Sequence, residues 1–326
     1  MARILTGIQS TGRPHLGNIL GAIKPGIKMA EEVNNDAYFF IADLHSLTTI
    51  KDAGLREEYV HAVAASWLAF GFDTDKNVFY RQSDIHEVAE LTWILSCFTP
   101  YPMLANAHSF KDKSNNLHDV NAGLFTYPVL MTADIILYDA DFVPVGKDQK
   151  QHLEMCRDIA SAFNRVYDSE VFVIPEAMIS KDTMLVPGTD GRKMSKSYNN
   201  YIDIFLAEKA LKKQIMSIVT DSTPLEEPKD AENCLVYQLF KLIASETDAN
   251  TMKSKLEAGN YGYGHAKKDL LGFIIDNYKS EREKFDEFMK DKAMLEMKLQ
   301  QGAEKARLVA REVIKRVKDK TGYKTN

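Results

Sequence analysis

At 326 residues the chain is long enough to bury a substantial core, and the length suits one larger and one smaller domain. Lys and Arg total 41 against 46 Asp and Glu, a net charge of −5, which excludes a globally basic nucleic-acid binder and confines any RNA contact to a local patch. The cysteines, Cys97, Cys156 and Cys234, are scattered and odd in number. That pattern argues for reduced thiols in a cytoplasmic protein, without a disulfide framework or a Cys-rich metal site. Met1-Ala2-Arg3 enters a strand without an apolar leader, and no later stretch is long enough to span a membrane.

The first element predicted is a short apolar strand at Ile4 to Ile8, followed by the loop Gln9-Ser10-Thr11-Gly12 and a helix starting near Gly17. Strand, loop and helix in this order form the geometry that cradles a nucleotide. The first turn of a helix offers unpaired N–H groups and a partial positive charge to a phosphate. Gly7, Gly12 and Gly17 allow close backbone approach, and His15 and Asn18 supply donors at the helix mouth. An ordinary strand-to-helix turn uses the same residues.

Asp36 to Asp43 reads as a strand buried on both faces, ending at Leu44-His45. A helix is expected over Leu55 to Phe70, ended by Gly71, then a strand at Asn77 to Tyr80 and a helix over Val88 to Leu95. Strands alternating with helices at this pace predict an α/β fold with a doubly wound parallel sheet, Rossmann-like, whose ligand lies at the carboxyl ends of the strands. Gln9 and His45 fall at such ends. Trp67 and Trp93 suit a core or an interface equally well.

The loop Phe110 to Asn116 is polar and lysine-bearing. Beyond it, Tyr127, Met131, Asp134, Ile135 and Tyr138 recur at three- and four-residue steps and share one helical face. Asp134 stands out there, because a carboxylate among apolar side chains is costly unless a donor pairs with it. That donor is a protein group, or the N–H of a ligand if the fold supplies none. Asp141 to Gly146 reads as a strand, and Lys147-Asp148-Gln149 opens the next helix. Val171 to Ile174 is read as a further strand, leading through Met184 to the polar loop Pro187 to Gly191.

Lys193-Met194-Ser195-Lys196-Ser197 follows, two lysines three apart with hydroxyls between and beside them, suited to a mobile loop closing on a triphosphate. After Tyr201 strand patterns vanish. Helices are expected over Ala207 to Ile218, Cys234 to Ile243, Leu270 to Tyr278 and Ala303 to Val317, broken at Asp221 to Pro228 and at Gly259 to Gly264. The last carries an apolar stripe flanked by Lys305, Arg307, Arg311, Lys315 and Arg316, either a solvated face or a seat for tRNA phosphates.

His15-Leu16-Gly17-Asn18 together with the downstream KMSKS resembles the paired signatures of class I aminoacyl-tRNA synthetases, and the segment between them narrows the resemblance to the bacterial-type tryptophanyl-tRNA synthetases. The likeness runs from about Ile4 to beyond Ala310. It implies a ligase that joins L-tryptophan to ATP, supplied with Mg²⁺, as an adenylate and then acylates tRNA(Trp), in a homodimer. It implies three parts: a catalytic domain over 1–204, a helical anticodon-binding domain over 205–293, and a terminal helix over 294–326 packing back on the catalytic half.

The resemblance assigns His15, Asn18, Lys113, Lys193 and Lys196 to the reacting phosphates. Gln9, Ser10, Thr11, Gly17, Asn18, Gly146, Lys147, Asp148, Met184 and the loop Lys193, Met194, Ser195, Lys196 and Ser197 would bind ATP, with Asp148 at the ribose. Leu5, Gly7, Gln9, His45, Tyr127, Met131, Val143, Val145 and Gln149 would shape a tryptophan pocket in which Asp134 holds the indole nitrogen. No metal is assigned to protein ligands. Ser10 stands where relatives have Pro, Leu5 where several have Phe, and Ala107-His108-Ser109 where relatives carry Thr-Gln. A small-molecule adenylyltransferase needs the same nucleotide loop but none of the helical third, and a synthetase-derived binding protein would lack the chemistry.

Overall fold

The computed structural model of the protein describes residues 2–32, 35–107, 110, 120–146, 149–178 and 185–324. Five parallel strands form the sheet: β1 (Ala2–Ile8), β2 (Asn35–Ile41), β3 (Val78–Arg81), β4 (Phe142–Pro144) and β5 (Glu176–Met178), in the order β3-β2-β1-β4-β5. In β2 every residue from Ala37 to Ile41 is buried, because helices cover both faces. The order reverses between β1 and β4, so the crevice for a ligand opens at the carboxyl ends of those two strands.

The helix after β1 runs over 16–30 (α1) and is not uniform. An α-helical start, Leu16–Asn18, passes through a π-helical turn, Ile19–Ile23, into Lys24–Ala30. Asp43–Ser46 is α2. Ala53–Ala69 is α3, capped where Asp52 accepts from the Leu55 N–H at 2.8 Å. From Val60 to Ala69 every residue of α3 is buried, Trp67 among them, since the sheet lies on one side and later helices on the other. Gly71 ends it with φ +92°. Then come α4 (Glu87–Ser96), α5 (Tyr101–Ala105), α6 (Ala122–Ile136) and α7 (Lys150–Val166). Trp93 on α4 and Tyr101 at the start of α5 are each 71% exposed, which separates Trp93 from the core residue Trp67.

Val171 to Ile174 is not a strand. The Val171 and Phe172 N–H groups are taken by the Asn164 side-chain carbonyl, and Pro175 has no N–H to give, so pairing begins only at Glu176. The helical third holds α8 (Glu208–Met216), α9 (Leu235–Lys241), α10 (Glu246–Ala258), α11 (Tyr263–Asn277), α12 (Lys279–Lys290) and α13 (Lys292–Thr321). Sequence patterning misses α10 and α12 and starts α11 and α13 too late. These helices are polar, and only Phe285 is fully buried on α12, so their apolar periodicity is faint.

Helix α13 lies along β3, the edge strand, and shields its free backbone. Gly302 makes the approach possible, because a Cβ there would overlap the Phe79 carbonyl oxygen. Glu296 anchors the helix, accepting from His61 Nε2 at 2.7 Å and from both Arg81 terminal nitrogens at 3.0 and 3.1 Å. Four of the five basic residues flanking its stripe are engaged within the chain: Lys305 with the Thr74 carbonyl, Arg307 with the Asp84 carbonyl, Arg311 with Glu87 and Arg316 with Asp139. Among the described residues, no helix is long and apolar enough to cross a membrane.

Gly302→Ala should cost about 2–3 kcal/mol in urea denaturation, because the obstructing atom is backbone and cannot swing away. Gly272→Ala, in α11 with nothing within 4 Å of its added Cβ, should instead stabilise by about 0.5–1 kcal/mol. Equal effects of the two would contradict the close approach of α13 to β3.

Candidate active site

A cavity of about 390 Å³ opens where β1 and β4 diverge. Leu5, Gly7, Gln9, His45, Tyr127, Met131, Asp134, Val143, Val145 and Gln149, scattered over the first 150 positions, all line it. Strand ends bring the first of them there. Leu5 and Gly7 lie on β1 and Gln9 just past its end, His45 is in the short helix α2 after β2, Val143 is on β4 and Val145 just past its end. Helix α6 lays Tyr127, Met131 and Asp134 across the other wall. Gly7 is required, because a Cβ would strike the Phe40 ring.

Asp134 is 2% exposed, and of the two sources of a donor left open by the sequence, the fold supplies protein groups. His45 Nε2 donates to Oδ2 at 2.7 Å, and Gln82 Nε2 donates to Oδ1 and Oδ2 at 2.7 and 2.8 Å. Gln82 is itself oriented by the Leu44 N–H, which its Oε1 accepts at 3.0 Å. Burial raises the Asp134 pKa, and the bonds from His45 and Gln82 act against that rise. Among the described residues no lysine or arginine reaches the carboxylate. A carboxylate has about four lone-pair sites, and these bonds occupy three, so one remains for a ligand N–H. Beside it the Tyr127 hydroxyl accepts from Gln9 Nε2 at 3.0 Å, and burial followed by the Asp134 charge pushes its pKa up to about 12.

Gln82 was not singled out from sequence. Its only signal is its place at the carboxyl end of β3, in the 3-10 turn Gln82–Asp84.

The nucleotide side is built differently from the expectation of free helix N–H groups. The Leu16 N–H goes to the Ile202 carbonyl at 2.8 Å, the Gly17 N–H to Met194 Sδ at 3.3 Å, and the Asn18 N–H to His15 Nδ1 at 3.3 Å. In return Asn18 Oδ1 accepts from the His15 N–H at 3.1 Å, closing a capping box. The α1 terminus is therefore mostly satisfied within the protein, and anion binding falls to side chains. Burial, then the Lys196 charge, lowers the His15 pKa to about 4. The ring is neutral at pH 7, and since Nδ1 accepts, the proton sits on Nε2.

Lys196 Nζ donates to the Gly12 carbonyl at 2.7 Å, and burial lowers its pKa to about 8. Gln9, Thr11, His15, Asn18, Ser195, Lys196 and Ser197 line one cavity around it. Gly17, Lys193 and Met194 line a neighbouring one, and Gly146 a third that also touches Asn18. Ser10 is turned into the fold, its Oγ 3.1 Å from Ser46 Oγ, so its side chain is not part of a ligand wall. Lys113, Lys147, Asp148 and Met184 lie outside the described residues.

The family described as tRNA synthetases class I (W and Y) matches residues 1–279. The tryptophan–tRNA ligase of Fusobacterium nucleatum is 48% identical, covering 100% of this chain and 99% of that protein. The crystal structure of tryptophanyl-tRNA synthetase from Campylobacter jejuni complexed with ADP and tryptophan is 46% identical with a TM-score of 0.94, covering 98% and 99% of the two chains. The enzyme from Mycoplasma pneumoniae is 27% identical with a TM-score of 0.81, covering 99% and 98%.

Gln82→Met keeps the length of the side chain but removes both its donor to Asp134 and its acceptor for Leu44. A stability loss of about 1–3 kcal/mol is expected in urea denaturation, the cost of buried polar groups left unpaired. An unchanged midpoint would mean that Gln82 does not hold the carboxylate.

Proposed function

We infer the activity from one premise: this chain belongs to the class I tRNA synthetases for tryptophan and tyrosine. It activates L-tryptophan with ATP to the adenylate, releasing pyrophosphate, and passes the aminoacyl group to tRNA(Trp). The observation that carries the choice of amino acid is Asp134, a buried carboxylate with one lone pair left in a cavity whose walls also include the apolar side chains of Leu5, Met131, Val143 and Val145 beside the polar Gln9, Tyr127 and Gln149. An indole has one N–H on an apolar ring and fits such a site. Phenylalanine lacks the donor, and a site built to satisfy a buried polar group rejects such analogues by roughly 10⁴ to 10⁵, so hydrolytic editing is unnecessary.

The tryptophan carboxylate attacks the α-phosphorus of ATP, the bond to the bridging oxygen breaks, and pyrophosphate leaves with the electron pair. No enzyme nucleophile is needed, and catalysis is positioning with charge stabilisation. His15 as a neutral Nε2–H donor and the Lys193 and Lys196 ammoniums would meet the phosphates. Lys113 would join them from its loop, and ATP would enter as its Mg²⁺ complex. Asp148 and Gly146 would hold the ribose.

Residues 1–204 would carry both substrates, 205–293 the anticodon, and 294–326 the closing helix. Two copies would pair over the exposed Trp93 and Tyr101 of α4 and α5. The free thiols of Cys97, Cys156 and Cys234 fit a cytoplasmic setting.

An amino-acid panel in ATP–pyrophosphate exchange tests this reading: tryptophan alone should support exchange, and exchange with tyrosine or with no amino acid would contradict it. The pKa of Lys196 sets a second expectation. Its charge is present below pH 8 and lost above it, so kcat/KM for ATP should fall as pH rises through about 8. Lys196→Arg, which stays charged, should flatten that limb, and a limb of the same shape in the variant would assign it to another group.

A further inference from the structure

Two acidic side chains are buried beside the Asp134 cavity, and only one of them faces it. Asp134 lines the cavity, whereas Asp43, 4% exposed, does not. Asp43 is the first residue of α2, the four-residue helix that carries His45. An acidic residue at a helix start ordinarily serves that helix's own N–H groups. Here Oδ1 instead accepts from the Ser83 N–H at 2.9 Å, in the turn after β3, and the Arg56 guanidinium of α3 lies 3.9 Å from Oδ2.

The neighbouring residues return the contact. The Leu44 N–H donates to Gln82 Oε1 at 3.0 Å, so residues 43–44 and 82–83 exchange two hydrogen bonds, one in each direction. These short pieces follow different strands, β2 and β3, and each carries a donor to Asp134: His45 Nε2 at 2.7 Å, and Gln82 Nε2 at 2.7 and 2.8 Å. One latch would leave the turn free to pivot, and two fix both its position and its angle. The latch through Gln82 uses the same amide that meets Asp134, so it holds only when that amide is already in place. The latch through Asp43 grips main chain at Ser83 and holds the turn whatever the Gln82 side chain does.

We propose that Asp43 is the positioning residue for indole recognition: by gripping the Ser83 N–H it fixes the separation of His45 and Gln82, and through them the direction of the Asp134 lone pair left for the ring N–H. The inference rests on the reading of Asp134 as that acceptor, and adds a residue that touches no substrate. Such support matters because a misplacement of about 1 Å in a group remote from the ligand can cost about 100-fold.

Calorimetric titration of the full chain with tryptophan, and with its isostere in which the ring N–H is replaced by sulfur, gives an affinity ratio that reports the N–H contact. Asp43→Ala should shrink that ratio about 10-fold by weakening tryptophan and leaving the isostere nearly unchanged. In ATP–pyrophosphate exchange the same variant should raise KM for tryptophan and keep KM for ATP close to wild type. Asp43→Asn, whose side-chain carbonyl still accepts from Ser83, should keep most of the ratio. Should Asp43→Ala fail to fold, Arg56→Ala takes its place, since that side chain is 25% exposed, and the ratio should shrink about 1.5- to 5-fold. A ratio unchanged in the variant that folds, or tryptophan and isostere weakened by one common factor, would make Asp43 a structural carboxylate and overturn the proposal alone. A wild-type ratio of one would overturn the reading of Asp134 and the proposal with it.

Discussion

The carboxylate of Asp134 is the constraint around which the site is arranged. Taking it out of water costs several kcal/mol unless its oxygens are met. They are met by two side chains rather than by a lysine or arginine, which would have saturated the group with charge. His45 and Gln82 arrive from the ends of β2 and β3, and Asp134 from α6, so the pairing exists only because the parallel sheet sets those strand ends side by side. Two donors leave room for a third, and the cavity in front of the carboxylate is where that third belongs.

The nucleotide end depends on a second long-range closure. The KMSKS loop docks on the start of α1 through Met194 and Ile202, about 180 positions away in sequence, and Lys196 reaches across to Gly12. The helical third holds the base of that loop. The Val219 N–H binds the Thr189 carbonyl, Arg282 binds the Ile204 and Leu206 carbonyls, Arg13 lies 3.6 Å from the buried Asp203, and Phe205 stacks on Phe285 at 4.0 Å. The loop whose lysines would meet the phosphates is therefore anchored on α12, so the helices that would read tRNA also support it.

Much of the α/β half was legible in sequence because buried parallel strands write continuous apolar runs, as in Tyr38-Phe39-Phe40-Ile41, and because α3 and α6 carry strong apolar patterns. The false strand at Val171 to Ile174 has the same apolar content, and only the side chain of Asn164 and the ring of Pro175 decide against it. Helices α10 and α12 left little trace because they bury few residues. The cavity-lining set around Asp134 followed from the resemblance and from helical spacing. Gln82 did not, since one glutamine after a strand carries no pattern until a carboxylate is placed opposite it. The satisfied N–H groups of α1 were equally invisible, because their partners lie at His15, Met194 and Ile202.

Selection of tryptophan by this pocket requires that the ring N–H of the substrate meet Asp134. The most direct measurement is calorimetric binding of tryptophan against its isostere in which the ring N–H is replaced by sulfur, to the unmodified protein. A hydrogen bond to a charged or strongly polarised acceptor of this kind corresponds to roughly 10- to 100-fold in affinity, so the isostere should bind weaker by at least that range. Equal affinities would contradict the claim, leaving Asp134 a structural carboxylate and the pocket a generic apolar one.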